Sequence, residues 1–279
     1  SAVYTQPPKK SNRGQKLNKS PVNLFSENLS LEVRTPETLK NNNQEELYLN
    51  KLEPDLILVV SYGQIIPKNL LNIPKYCFLN IHASLLPRWR GAGPIQRSIM
   101  NLDKETGISI MKINENLDEG PVCNQYSLKI SEKINSEQLS EKLSLLAADK
   151  ILDVLDNIYD GNIKFTDQDH SKATYAKKIK KIEGKIDWNE NAKQIIGKIN
   201  GLYPYPGAFF MFNGERYKIL KAEKSQINGA PGNVISDDFE ICCGEGSIKV
   251  LTIQREGKRV QKISEFLLGS QIKKGTNIA

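Results

Sequence analysis

The sequence has no apolar run of about 18 residues, so no segment reads as a membrane-spanning helix. Its first residues, SAVYTQPPKK, hold no apolar core of the kind a secretory leader needs. Cysteine is sparse. Cys77, Cys123, Cys242 and Cys243 match neither a zinc spacing nor a disulfide framework, and they read as thiols of a cytoplasmic protein. Adjacent Cys242 and Cys243 would face opposite sides of a strand, which puts one of them in a core. Histidine occurs twice, at His82 and His170, and His170 lies in a polar stretch that reads as solvent-exposed. Gly91 and Gly93 lack a third glycine at the dinucleotide spacing, so a nucleotide-cofactor site has no support. No G-x-S-x-G turn presents a serine nucleophile.

What is present is ordinary globular composition, 25% charged and 39% hydrophobic, over 279 residues, enough for two domains. The net charge of +7 is unevenly spread. Residues 1–20 carry Lys9, Lys10, Arg13, Lys16 and Lys19 with no acid, and residues 171–279 carry 19 Lys/Arg against 11 Asp/Glu. The stretch between them is acidic. A basic arm and a basic C-terminal part suggest a polyanionic partner, although solvated lysines alone would give the same count.

The opening stretch TQPPKKSNRGQKLNKSP, with Pro7, Pro8 and Gly14, is expected to form neither helix nor strand. DLILVVSYG (55–63), CFLNIHA (77–83) and TGISIMKI (106–113) read as strands, the first two buried on both faces as in a parallel sheet. Helices are predicted over 44–52, over 94–102 with proline in the first turn, and over 136–160. The last has Asn135 as its cap, Gln138 three residues on, an apolar face from Leu139 to Ile158, and Gly161 at its end. Alternating strands and helices indicate a doubly wound α/β domain. After residue 161 a polar linker leads to a helix over 189–200 and then to short strands separated by turns. Asn213-Gly214 is the strongest hairpin signal among them. That pattern suggests a small OB-like β-barrel.

Candidate chemistry gathers at the end of the second strand. Asn80 and His82 are two apart and face the same side. Asp118, in NLDEGP, follows the third strand and can reach the same rim. An amide, an imidazole and a carboxylate together can stabilise an oxyanion and move a proton. They supply no nucleophile, which favours a reaction whose substrate brings its own, such as an amine attacking an acyl-like carbon. A structural, hydrogen-bonded Asn-x-His pair remains the alternative on spacing alone.

LNIHASLLPRWRGAGPIQRSI together with ETGISIMKINENLDEGPV resembles the signature of the folate-dependent formyltransferases. Within that superfamily the stretch PRWRGAGPIQ is similar to members that formylate initiator methionyl-tRNA. YTQPPKKSNRGQKL resembles their basic loop, and TYAKKI, KIDW, PYPGAFF and ISEFLLG resemble their linker and C-terminal domain. The resemblance implies a Rossmann-like parallel-sheet formyltransferase domain over 1–162, a linker over 163–182, and an OB-like tRNA-binding domain over 183–279. It implies a catalytic trio of Asn80, His82 and Asp118. A folate-binding turn of Ser84, Leu85, Leu86 and Pro87 would be accompanied by Tyr62 and Gly63 at the pterin pocket. It assigns Lys9, Lys10, Arg13 and Lys16 to the tRNA.

The implied reaction moves the formyl group of 10-formyltetrahydrofolate to the methionine α-amine of the initiator tRNA, for translation initiation. Asn80 and a protonated His82 would stabilise the oxyanion, with Asp118 holding the imidazolium, and no metal would be needed. The protein is expected to be cytoplasmic and monomeric, with no membrane partner. Family members begin with a strand and helix before the VYTQP strand. Nothing here corresponds to them, so an incomplete N-terminus and exposed apolar sheet edges are expected. Trp89 would either stack on a ligand or pack its loop against the body. Two alternatives stand beside this reading: formyl transfer to a nucleotide-linked sugar amine, and a tRNA-binding fragment without catalysis.

Overall fold

A computed structural model describes residues 1–11 and 16–279. Their contacts divide the chain into two compact units, one of residues 1–82, 108–125 and 150–172, the other of 83–107, 126–149 and 173–279.

The first unit holds the α/β core. Ala2–Tyr4 pairs in parallel with Glu32–Arg34, and Leu56–Val59 pairs in parallel with Cys77–His82. The second pair continues into a four-stranded sheet through Glu105–Lys112 and Val122–Lys129. The Rossmann-like parallel core is therefore present, but the third expected strand runs antiparallel to Cys77–His82. An antiparallel neighbour needs no right-handed crossover, so the short helix Pro94–Met100 does not have to return the chain to the other end of the sheet. Phe78 is buried with Leu39, Leu49, Ile66 and Leu70 in the core of this unit, where Ile57 and Val59 also pack.

One strand is less buried than its composition suggests. Leu58 and Val60 are exposed while Ile57 and Val59 pack against the core, because successive side chains alternate between the two faces and one face is covered. The basic stretch also differs from expectation, since Lys9–Ser11 and Lys16–Asn18 form a short antiparallel ladder. A helix that the sequence did not signal, Pro21–Asn28, follows it with Ser20 as its cap.

The helix expected over 136–160 is Ser136–Tyr159, and the cap has the predicted form. Asn135 Oδ1 accepts from the Gln138 backbone while Gln138 Oε1 accepts from the Asn135 backbone. Leu139, Leu143, Ile151, Val154 and Ile158 are buried along its apolar face.

In the second unit, the helix Ala192–Gly201 is capped by Asn191 and turns Ile195 and Ile199 into a core with Trp188, Phe210, Phe239 and Val250. A five-stranded antiparallel sheet runs in the order Ala208–Phe212, Glu215–Ser225, Ser247–Arg255, Glu240–Cys242, with Gln261–Lys262 also paired to Ser247–Arg255. It is a curled half-barrel: among the described residues the first and last strands of that order do not pair with each other. Aromatic rings line its core, with Phe210 stacked on Tyr217 at 5.4 Å and Tyr217 edge-on to Phe266 at 5.9 Å. Asn213 and Gly214 both have positive φ, as a two-residue hairpin requires. Cys242 and Cys243 are both buried, a departure from the expectation of one. The strand ends at Cys242, and Cys243 then turns back to bond Gly246, so alternation no longer sends it to solvent.

Candidate active site

The strand Cys77–His82 carries the site because its last turn of alternation changes from apolar to polar. Cys77, Phe78 and Leu79 are buried, Asn80 is half-buried, and His82 is buried again at 6% exposure. Register fixes their neighbours: Asn80 lies opposite Val59 on one side and Met111 on the other, and His82 lies opposite Ser109. Ser109 is fully buried and its hydroxyl accepts from Gln125 Nε2 at 2.8 Å.

Asp118 arrives from the turn after Glu105–Lys112. Its Oδ2 stands 3.6 Å from His82 Nδ1, with both side chains largely shielded from water. That distance is too long for a hydrogen bond and suits an ion pair once the ring carries its second proton. The turn is built for close approach. Asp118 has φ +51, and Gly120 sits so near Lys112 that a Cβ there would lie 1.8 Å from the Lys112 carbonyl oxygen. Lys112 N–H donates to the Pro121 carbonyl, which ties the turn back to its own strand.

From the other side, the segment expected to be a surface linker reaches the same turn. Thr166 and Val122 exchange two backbone hydrogen bonds at 2.9 Å. Gln168, buried at 8% exposure, donates from Nε2 to the carbonyls of Asp118 and Gly120, each at 2.8 Å. Gln168 was not signalled by the sequence, where it stands in the polar run TDQDHS without periodicity. His170, two residues on, is exposed as expected.

The remaining candidates each have surroundings of their own. Tyr62 packs its ring against the core of the first unit, and its hydroxyl is buried without a hydrogen-bond partner; burial and the nearby Glu45 push its pKa up to about 12. Gly63 has φ +78, and Gln6 Nε2 donates to the Tyr62 carbonyl beside it. In the second unit Ser84 is fully buried and spends its hydroxyl on the Arg88 carbonyl at 2.6 Å, which closes the SLLPR turn. Leu86 is buried, the Leu86–Pro87 peptide is cis, and Pro87 accepts from Thr174. Leu85 lines a cavity of about 360 Å³ with Arg88, Trp89, Asp103, Lys104, Glu105 and Thr106. Trp89 packs the loop: its ring N–H donates to Asp103 at 2.7 Å and its backbone N–H to Thr174 at 2.9 Å. Lys9, Lys10 and Lys16 are exposed on the short ladder, whereas Arg13 lies outside the described residues.

Residues 1–155 match the family model described as formyl transferase, and residues 178–271 match that of the formyl transferase C-terminal domain. The methionyl-tRNA formyltransferase of Pelagibacter ubique is 61% identical over 278 residues, covering 99% of this chain and 90% of its own length. That of Paracoccus denitrificans is 44% identical over 96% of this chain and 89% of its own length. Among solved structures, the sugar 3N-formyl transferase WlaRD superposes with a TM-score of 0.67 at 18% identity, covering 92% of this chain and 88% of that one. HypX from Aquifex aeolicus superposes with a TM-score of 0.64 at 19% identity, over 89% of this chain and 44% of its own. At those identities the structural likeness speaks for the fold alone. With two formyl transferase domain matches in sequence order and relatives of high identity along nearly its whole length, the chain belongs to the methionyl-tRNA formyltransferase family.

Proposed function

We propose that this protein transfers the formyl group of 10-formyltetrahydrofolate to the α-amine of methionine carried on initiator tRNA, with Asn80, His82 and Asp118 as its catalytic residues. The observation that carries the reading is the meeting of Asp118 with His82, 3.6 Å apart, at the end of a strand that also presents the Asn80 amide. The incoming amine is its own nucleophile, and a fraction of it is neutral near pH 8 without a strong base. Attack on the formyl carbon moves negative charge onto the formyl oxygen. The Asn80 amide and the His82 ring donate to that oxygen, and the Asp118 carboxylate balances the charge on the ring. The amine's surplus proton leaves through Asp118 or a water beside it. The tetrahedral adduct then collapses: the bond between the formyl carbon and N10 of the folate breaks, N10 takes up a proton, and tetrahydrofolate departs.

The turn Ser84–Pro87 and the Tyr62–Gly63 corner are the segments assigned to the folate. The Ser84 hydroxyl donates to the Arg88 carbonyl, which closes the turn assigned to the folate. Lys9, Lys10, Arg13 and Lys16 are assigned to tRNA phosphates, together with residues 183–279 as the RNA-binding domain, after the 1–162 catalytic part and the 163–182 linker. Exposed lysines on a short ladder suit that task, because phosphate neutralisation needs charge at the surface more than fixed geometry. The protein acts as a cytoplasmic monomer in this reading.

Formyl transfer to charged initiator tRNA, measured for the chain and for its His82→Ala variant, tests the proposal. Turnover that drops by about 100-fold or more in the variant is expected, the usual cost of one lost oxyanion donor. Transfer to a nucleotide-linked sugar amine in place of the tRNA would overturn the substrate assignment. TRNA binding with no transfer by the parent chain would overturn the catalytic one.

A further inference from the structure

We propose that Gln168 is a positioning residue for Asp118: through the main chain of the 118–120 turn it holds the carboxylate against His82. The inference rests on the proposed trio and extends it to a residue in a segment that reads as a linker.

The geometry has three parts. First, Asp118 occupies a left-handed conformation that a residue with a Cβ enters only at a cost, so its turn needs outside restraint to stay in one shape. Second, one amide nitrogen bridges two carbonyls of that turn, at 2.8 Å to Asp118 and 2.8 Å to Gly120. A bridge of this kind fixes the orientation of the 118–119 and 120–121 peptide planes relative to each other, and with it the direction in which the Asp118 side chain leaves the turn. Third, the donor is itself held. Gln168 is buried, the paired hydrogen bonds between Thr166 and Val122 fix the backbone two residues before it, and the Phe165 ring lies 4.2 Å from the Lys112 ammonium.

The opposite flank of the turn is tied to the 105–112 strand through Lys112 and Pro121. The turn is thus pinned at both ends, and Gln168 is the side chain that does the pinning on the linker side. In this proposal Gln168 acts through the turn and not on the reacting atoms. Its effect is expected in how well Asp118 faces the imidazole, and reactions in such sites lose up to about 100-fold for a displacement near 1 Å.

With only two histidines in the chain, the ring resonances of His82 can be followed by NMR at fixed pH, His170 being identified with a His170→Gln variant. Asp118→Asn defines the displacement of the His82 signals when the carboxylate is removed. Gln168→Met, which keeps the volume but has no donor, is expected to move them in the same direction by at least half as much while the thermal midpoint shows a folded protein. Gln168→Asn, one methylene shorter and unable to span both carbonyls, is expected to fall between Gln168→Met and the parent, and it serves if the first variant does not fold.

In formyl transfer, Gln168→Met is expected to lower kcat by about 10- to 100-fold with KM for the tRNA changed less than about twofold. In the Asp118→Asn background the same substitution is expected to add nothing, because both act through one group. Unmoved His82 signals in a folded Gln168→Met protein would overturn the proposal, as would a full additional loss on top of Asp118→Asn. If the parent chain transfers no formyl group, the proposed function fails by itself, and the NMR comparison still decides the role of Gln168.

Discussion

The trio of Asn80, His82 and Asp118 and the basic ladder of Lys9, Lys10 and Lys16 belong to the same unit and are built by opposite rules. The trio is placed by ladder register, burial and a turn with no room for an extra carbon at Gly120. The lysines stand exposed on two three-residue strands, and Lys9 Nζ donates to Gln6 at a long 3.3 Å. Chemistry at one carbonyl needs donors fixed to a fraction of an ångström, whereas a phosphate backbone is satisfied by charge at roughly the right place. A substitution in the first region should therefore act on kcat and be insensitive to salt. One in the second should act on tRNA affinity and be strongly salt-dependent.

The largest effect is expected at Asn80. Asn80→Ala removes the oxyanion donor proposed above and should cost about 10²- to 10³-fold in kcat, with tRNA affinity unchanged at every salt concentration. Steady-state kinetics at two ionic strengths checks both halves, and a loss confined to KM would break the contrast between the regions.

A second buried charge sharpens it, because it should matter for stability and not for turnover. Glu45 is buried between Arg34, which donates to it twice at 2.7 and 2.8 Å, and the Tyr4 hydroxyl at 2.7 Å. Arg34 holds its carboxyl below the usual carboxylate range, so the stabilisation is complete above about pH 4.3 and is lost as the pH falls through the folded-state value. Glu45→Gln should cost about 2 kcal/mol at neutral pH and flatten the decline of thermal stability below pH 4, with kcat retained. Melting temperatures of both proteins across pH 2.5–7 (roughly the span over which a carboxylate titrates) are the readout; parallel curves would contradict the assignment.

The smallest effect is expected in the ladder. Replacing Lys10 and Lys16 by alanine should weaken tRNA binding about tenfold at physiological salt and reduce the slope of log K against log salt by about two, without touching kcat at saturation. A binding titration at three salt concentrations measures this. An unchanged slope would remove these lysines from the RNA interface.

Much of this was legible in the chain, and where it was not the reasons are specific. The helix Ser136–Tyr159 was readable because cap, apolar period and terminating glycine agree within one segment. The Asn213-Gly214 hairpin was readable because only a few residue pairs accept two positive φ values. Asn80 and His82 were readable as same-face neighbours because strand alternation is local. The exposure of Leu58 and Val60 was not, since an apolar run does not reveal whether one face of a strand or both are covered. The basic ladder was hidden by Pro7, Pro8 and Gly14, which mark a turn without showing that its flanks pair. The packing of Tyr62 against the core of the first unit was not readable either, because a tyrosine's identity does not say which neighbours it meets.

The sequence by itself determined which groups stand as candidates for chemistry: one amide and one imidazole on a strand end, and a carboxylate in a glycine turn. Those follow from residue identity and from the two short periods of secondary structure. Only the tertiary structure decided that Asp118 meets His82, that the third strand runs antiparallel, and that Gln168 closes on the Asp118 turn across 50 residues. These are contacts between segments far apart in the chain. They are selected by burial and by the pairing of main-chain groups, which a residue's own neighbours in sequence do not encode.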